Sequence, residues 1–197
     1  MDNVDQCPVG LIGWSSSSSN DYDGDGCLDS AEDNDDDDDG VMDLYDQCVT
    51  GLKNWASSQS TDYDNDGCND TTEDSDDDND GIIDTLDTCS KGSLNWLSSS
   101  TLDYDSDGCR DSSEDDDDDN DLIKDEDDNC RFGDLGWNSN SDTDYDTDGC
   151  RDSTEDTDDD NDYIPDLEDD CQKGEIGWSS TDLNDYDSDG CNDATED

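Results

Sequence analysis

Acidic side chains recur along this chain at a spacing that could build a metal site. Asp21, Asp23, Asp25, Asp29 and Glu32 occupy positions 1, 3, 5, 9 and 12 of a twelve-residue segment, with Gly26 at position 6 and Cys27 at position 7. Alternate residues of a tight turn point inward, so side chains 1, 3 and 5 converge on one point. Gly26 permits the sharp bend, the backbone carbonyl of Cys27 adds an oxygen, and Glu32 can close the site with both of its oxygens. Calcium suits such a set, because it accepts about six to eight hard oxygens with tolerant geometry, whereas magnesium demands a tighter octahedron.

The pattern returns four times. The sets are Asp62, Asp64, Asp66, Cys68, Asp70 and Glu73; Asp103, Asp105, Asp107, Cys109, Asp111 and Glu114; Asp144, Asp146, Asp148, Cys150, Asp152 and Glu155; and Asp185, Asp187, Asp189, Cys191, Asp193 and Glu196. A second loop starts two residues after the first closes, with Asp35, Asp37, Asp39, Val41, Asp43 and Asp46. Its copies are Asp76, Asp78, Asp80, Ile82, Asp84 and Asp87; Asp117, Asp119, Asp121, Ile123, Asp125 and Asp128; and Asp158, Asp160, Asp162, Ile164, Asp166 and Asp169. The bend residue is Gly in Gly40 and Gly81 but becomes Leu122 and Tyr163, so the third and fourth copies depart from the pattern. Acids run through Asp35 to Asp39 without a break, which leaves the register of this loop open. The intervening acids are expected mostly to face solvent, and bridging two ions is the alternative. The apolar position 7 suggests a small buried contact.

These loops sit on a strict internal repeat. Ten cysteines at 7, 27, 48, 68, 89, 109, 130, 150, 171 and 191 alternate gaps of 20 and 21, so the period is 41 residues. Trp14, Trp55, Trp96, Trp137 and Trp178 obey it, as do Tyr22, Tyr63, Tyr104, Tyr145 and Tyr186. The repeats run 7–47, 48–88, 89–129, 130–170 and a truncated 171–197, with 1–6 as the end of a preceding one. Asp5, Gln6 and Cys7 share the phase of Asp46, Gln47 and Cys48, and the sequence reads as a window cut from a longer array.

Composition alone points to an acidic disordered polymer: 66 Asp+Glu stand against 7 Lys+Arg, for a net charge of −59, and 25% of residues are hydrophobic. A free acidic tail has no need of an unbroken register, which argues for a specific structure. With so small an apolar share, metal and covalent links must hold each repeat. An even cysteine count without any C-x-x-C implies a disulfide framework and an oxidising compartment. The simplest pairing is Cys7–Cys27, Cys48–Cys68, Cys89–Cys109, Cys130–Cys150 and Cys171–Cys191, each link contributing about 3 kcal/mol through chain entropy. A shifted pairing from Cys27–Cys48 onward would strand Cys7 and Cys191.

The two loops are too close for flanking helices, so a helix–loop–helix module is excluded. The residues resemble the thrombospondin type 3 repeat, whose D-x-D-x-D-G-x-x-D-x-x-D-x-C pattern is met from Asp35 to Cys48. Asp5-Gln6-Cys7-Pro8 is similar to that family's Asp-Asn-Cys-Pro. The resemblance spans essentially the whole chain, departing at the loop-7 cysteines and at an inserted Trp–Ser segment. It implies a chain wrapped around calcium ions, with little helix or strand, in extracellular structural or adhesive roles. The fold class expected is mostly irregular: elongated, calcium-wrapped, disulfide-stapled tandem repeats.

Each Trp is expected to pack on the disulfide and the Tyr ring as the repeat's mini-core, with carbohydrate stacking as the alternative. The Ser/Thr stretch after it, such as Ser15–Ser19, reads either as a solvated spacer or as a carrier of O-linked glycans. Asn69-Asp70-Thr71 is an N-glycosylation sequon inside a calcium loop. So negative a surface repels nucleic acid and anionic lipid, and no segment has the apolar length to insert in a bilayer. Without histidine, a nucleophile motif or a zinc motif, no enzyme is expected. The function expected is an extracellular calcium-binding array, at about two ions per repeat, forming a stiff stalk, adhesin shaft or surface filament. Head-to-tail self-association is compatible with it. The alternative is an acidic secreted protein that sequesters calcium or nucleates mineral.

Overall fold

Asp and Asn compete with the backbone for its own hydrogen bonds and so favour turns over helix or strand. The computed structural model describes residues 5–196, and among them there is neither helix nor strand, only turns and bends. The chain divides into two compact units, Met1–Ser98 and Ser99–Asp197.

In the first unit, disulfides join Cys7 to Cys27 and Cys48 to Cys68, with Cα–Cα distances of 5.2 and 5.1 Å. In the second, Cys130 pairs with Cys150 and Cys171 with Cys191, at 5.0 and 5.3 Å. Cys89 and Cys109 are also disulfide-bonded, and no cysteine is free. For the four pairs given, the pairing within the repeat therefore holds. A backbone bond accompanies each of the four joins, as where the Gln47 amide donates to the Asp66 carbonyl at 2.7 Å and the Asn129 amide to Asp148 at 2.8 Å.

The apolar core is nearly all sulfur and indole. Cys27, Cys68, Cys109, Cys150, Cys191, Trp96 and Trp137 are the buried hydrophobic residues among those described. Leu11, Ile12 and Leu135, which precede Trp in sequence, are exposed. Fully buried side chains are instead aspartates, including Asp62, Asp80, Asp121 and Asp162 at 0–1% exposure.

The tyrosines do not serve only their own repeat. Four of them reach into the next one: Tyr22 donates its hydroxyl to the Gly51 carbonyl, Tyr63 to Gly92, Tyr104 to Gly133 and Tyr145 to Gly174, all at 2.9 Å. The same glycines donate their amides to position 3 of the preceding second loop, where Asp37 takes Gly51 and Asp119 takes Gly133, each at 2.8 Å. Ring partners also come from the following repeat. Phe132 meets Tyr104 edge-on at 5.3 Å, and Lys91 and Lys173 lie over Tyr63 and Tyr145. A side chain at Gly51 would stand 2.8 Å from Glu73 Oε1 and 3.0 Å from Asp37 Oδ2, so the junction has no room for one.

Removing the hydroxyl alone tests this link. Tyr104→Phe keeps the ring on Phe132 and leaves the Gly133 carbonyl without its donor. The expected loss is about 1 kcal/mol, read as a lower denaturant midpoint in calcium-containing buffer at unchanged slope.

Candidate metal centres

Both loops of a repeat are the same structure. In the first loop, the amide at position 2 donates to the position 9 carboxylate, as from Tyr63 to Asp70 Oδ1 at 3.0 Å. The position 5 and 6 amides donate to the position 1 carboxylate, as from Asp66 and Gly67 to Asp62 at 3.0 and 3.3 Å. The position 7 amide donates to position 5, as from Cys68 to Asp66 at 2.9 Å. The second loop repeats the set: Asp36 donates to Asp43 at 2.9 Å, Asp39 and Gly40 to Asp35 at 3.2 and 3.1 Å, and Val41 to Asp39 at 2.7 Å. The open register is therefore closed, with Asp35 at position 1.

The same geometry survives where Gly is lost. Leu122 and Tyr163 hold φ of 84° and 79°, beside 98° and 97° for Gly40 and Gly81. Their amides donate to Asp117 and Asp158 at 3.1 and 3.0 Å, as Gly40 and Gly81 do to their own first aspartates. The third and fourth second loops are thus complete, at a cost of roughly 1–2 kcal/mol each for placing a side chain in the left-handed region.

Carboxylates gather where the spacing places them. Ligand oxygens of Asp21, Asp23 and Asp25 lie within 4.8 Å of one another, as do those of Asp62, Asp64 and Asp66 and those of Asp35, Asp37 and Asp39. The position 9 residue Asp29 groups with Asp33 and Asp36 instead. Asp36, Asp77, Asp118 and Asp159 were expected to face solvent as intervening acids. They do not: Asp77, Asp118 and Asp159 are buried, each against the Lys or Arg it pairs with, and Asp36, which has no such partner among the described residues, is half-buried. Asp38, by contrast, is exposed. Val41, Ile82, Ile123 and Ile164 are half-buried.

Many of these carboxylates have an oxygen shut away from water without a donor. In second loops they are Asp37 Oδ1, Asp39 Oδ2 and Asp46 Oδ2, then Asp119 Oδ1 and Asp121 Oδ2, then Asp160 Oδ1, Asp162 Oδ2 and Asp169 Oδ2. In first loops they include Asp21 Oδ2 and the Oε2 of Glu32, Glu73 and Glu114. A buried anion left so costs several kcal/mol unless a cation meets it. The orphan oxygens fall at the same loop positions in successive copies, so the residues fit a metal ion. A donor set made only of hard oxygens fits calcium or magnesium and not a softer transition metal. The Cys27 sulfur, though close to Asp25 and Asp33, is locked in its disulfide.

The surroundings show how the loops are held. The closing aspartate of three second loops lies against the position 6 glycine of the next first loop: Asp46 on Gly67, Asp128 on Gly149 and Asp169 on Gly190. Asp5 lies on Gly26 in the same way. The serine stretch is more than a spacer. The Ser57 amide donates to the Asp39 carbonyl at 2.8 Å, while its hydroxyl donates to Asp62, so one residue ties a second loop to the first loop that follows. Ser139 and Ser180 do the same with Asp144 and Asp185. Asn69 is buried, with its side-chain oxygen accepting from the Thr71 amide at 3.1 Å, so the sequon is closed to a glycan. Neither the serine tie nor the Tyr–Gly junction was found from sequence. A fixed spacing of 5 between that serine and the first loop aspartate was the available signal for the first.

Burial, and then mutual repulsion, raises these carboxyls from an ordinary value near 3.8: Asp37, Asp119 and Asp146 to about 7, and Asp46, Asp64 and Asp128 to about 6. No protein-family model matches the chain, and no curated protein shows significant similarity to it.

Two outcomes are expected. The metal-free fold binds more protons than the unfolded chain between about pH 4 and 7, so its stability falls as pH rises through that window. Calcium displaces those protons, so its affinity should rise over the same window, checked by isothermal titration in buffers of different ionisation enthalpy. Separately, Leu122→Gly should stabilise the loaded chain by about 1 kcal/mol. Gly149→Ala, which drives a methyl into Asp128, should cost more than Gly40→Ala, which meets open space. Chemical denaturation of the three variants checks the order.

Proposed function

We propose that the chain is an extracellular calcium-binding structural array of the thrombospondin type 3 kind, serving as a stiff spacer such as a stalk, adhesin shaft or surface filament. The observation that carries this reading is the set of donorless, buried carboxylate oxygens at matching positions of successive loops. Positions 1, 3, 5 and 12 supply side-chain oxygens, and the carbonyl at position 7 supplies another. Bound calcium would neutralise charge that the chain cannot neutralise itself, since it has 7 Lys+Arg against 66 Asp+Glu.

The disulfides put the chain in an oxidising environment, which supports a place outside the cell. Among the described residues no helix is long and apolar enough to cross a membrane. Extracellular modules of this type hold calcium at roughly 10⁻⁴–10⁻³ M, so tissue fluid or seawater would fill the loops and chelators would empty them. Nine ions, one for each of five first and four second loops, would leave a formal charge of about −41 from −59. The remaining repulsion, acting on loops locked locally by ions, favours an extended and stiff array.

The test is a calcium titration of the oxidised, chelator-stripped chain by equilibrium dialysis, with Trp fluorescence followed in parallel. Saturation near nine ions with a cooperative Trp change is the expected result. Weak, non-saturating uptake with a silent Trp signal would reject the structural role and favour a calcium-sequestering acidic polymer.

A further inference from the structure

The second loops are short of oxygens by themselves. Each closes on an aspartate, one methylene shorter than the glutamate that closes a first loop. In the first repeat, Asp46 Oδ1 already accepts the Cys48 amide at 2.6 Å, so Asp46 Oδ2 is the oxygen left for an ion. Cys130 and Cys171 engage Asp128 and Asp169 in the same way, both at 2.6 Å. One oxygen from each of Asp35, Asp37, Asp39 and Asp46, with the Val41 carbonyl, makes five. Calcium takes about six to eight. Asp37 and Asp39 are each 1% exposed, and both keep an oxygen that no donor reaches.

A further carboxylate stands beside this loop, supplied by the next repeat. Gly51 lies against both Asp37 and Glu73, the residue that closes the following first loop. A Cβ on Gly51 would stand 3.0 Å from Asp37 Oδ2 and 2.8 Å from Glu73 Oε1. Gly133 lies against Asp119 and Glu155 in the same way, at 2.8 and 2.6 Å, and Gly174 against Asp160 and Glu196, at 2.9 and 2.7 Å. Successive amides hold the two carboxylates side by side: Gly133 donates to Asp119 Oδ2 at 2.8 Å, and Asp134 to Glu155 Oε1 at 2.6 Å. Position 5 feels the same glutamates. Burial raises Asp39 and Asp121, and Glu73 and Glu155 are among the charges that raise them further.

The other oxygen of the glutamate faces its own loop. The position 8 amides of Arg151 and Asn192 donate to Oε2 of Glu155 and Glu196, at 3.4 and 3.1 Å. In Glu73 that oxygen is buried and meets no donor. The two oxygens of one side chain are thus divided between two loops, one on each side of a repeat boundary.

We propose that Glu73, Glu155 and Glu196 each bridge two calcium ions, one in the first loop that the glutamate closes and one in the second loop of the preceding repeat. The bridge presupposes that the loops are calcium sites. It couples the occupancy of the two sites at a boundary, so that the metal itself ties neighbouring repeats together.

The bend amides tell the two sites apart. Gly40 and Gly67 stand at position 6 of the two loops that Glu73 would serve, and their amide resonances are followed through a calcium titration of the oxidised full chain. Glu73→Gln should move both midpoints to about tenfold higher calcium. Asp64→Asn, at position 3 of the same first loop, should move Gly67 by a similar factor and Gly40 by much less. If Glu73→Gln moves one resonance and not the other, or Asp64→Asn moves Gly40 as far as Glu73→Gln does, the bridge is overturned while the loop sites stand. If neither resonance of the unchanged chain responds to calcium, the loop reading fails and the bridge falls with it. Should Glu73→Gln not fold, Glu155→Gln read at Leu122 and Gly149 decides by the same criteria.

Discussion

Burying a carboxylate beside other carboxylates is among the least favourable things a chain can do, and this fold does it in every repeat. Asp37, Asp39, Asp160 and Asp162 are at most 1% exposed, and each retains an oxygen that no donor reaches. Protons can satisfy such groups in acid, which is why burial lifts Asp37 and Asp119 to about 7. At neutral pH and above, a cation must do so. Disulfides, turns and the small indole–cystine core are arranged around that need, because none of them supplies positive charge.

The loops are coupled less through a common core than through their edges. Gly51 is held on one side by Asp37 and on the other by the Tyr22 hydroxyl. Asp46 closes one repeat's second loop while resting on Gly67, the bend of the next repeat's first loop. Ser57 touches both Asp39 and Asp62. A structure joined in this nearest-neighbour way behaves as a one-dimensional array, in which disrupting one loop would weaken the adjoining repeat first. The few basic residues sharpen this picture, since Lys91, Arg131 and Lys173, though partly exposed, each pair with carboxylates.

Much of this was legible in the sequence. The alternating cysteine gaps gave the pairing, because a strict period with a sparse core leaves a local staple as the simplest link. The position 1, 3, 5 spacing located the loops, because side chains at alternate residues of a turn converge whatever surrounds them. The harder parts were contextual. An acid at every residue from Asp35 to Asp39 hides its own register, and only the amide bonds to Asp35 and Asp43 fix it. Leu122 and Tyr163 looked like broken bends, yet hydrogen bonds from both sides of the loop hold them at positive φ. The buried state of Asp118 depends on Arg131, 13 residues away in sequence. The tyrosines look like partners for tryptophan, but their hydroxyls find a backbone carbonyl 29 residues ahead.

The central claim is that cations complete the loops and that the loops do not persist without them. Amide hydrogen exchange of the oxidised chain, with calcium and after chelation at neutral pH, reads it at the bend amides of Gly40, Gly81, Leu122 and Tyr163, whose acceptors are the position 1 aspartates. Strong protection with calcium and its collapse on chelation, with every disulfide intact, is the result predicted. Equal protection in both conditions would show that the turns stand on their own, and would contradict the account.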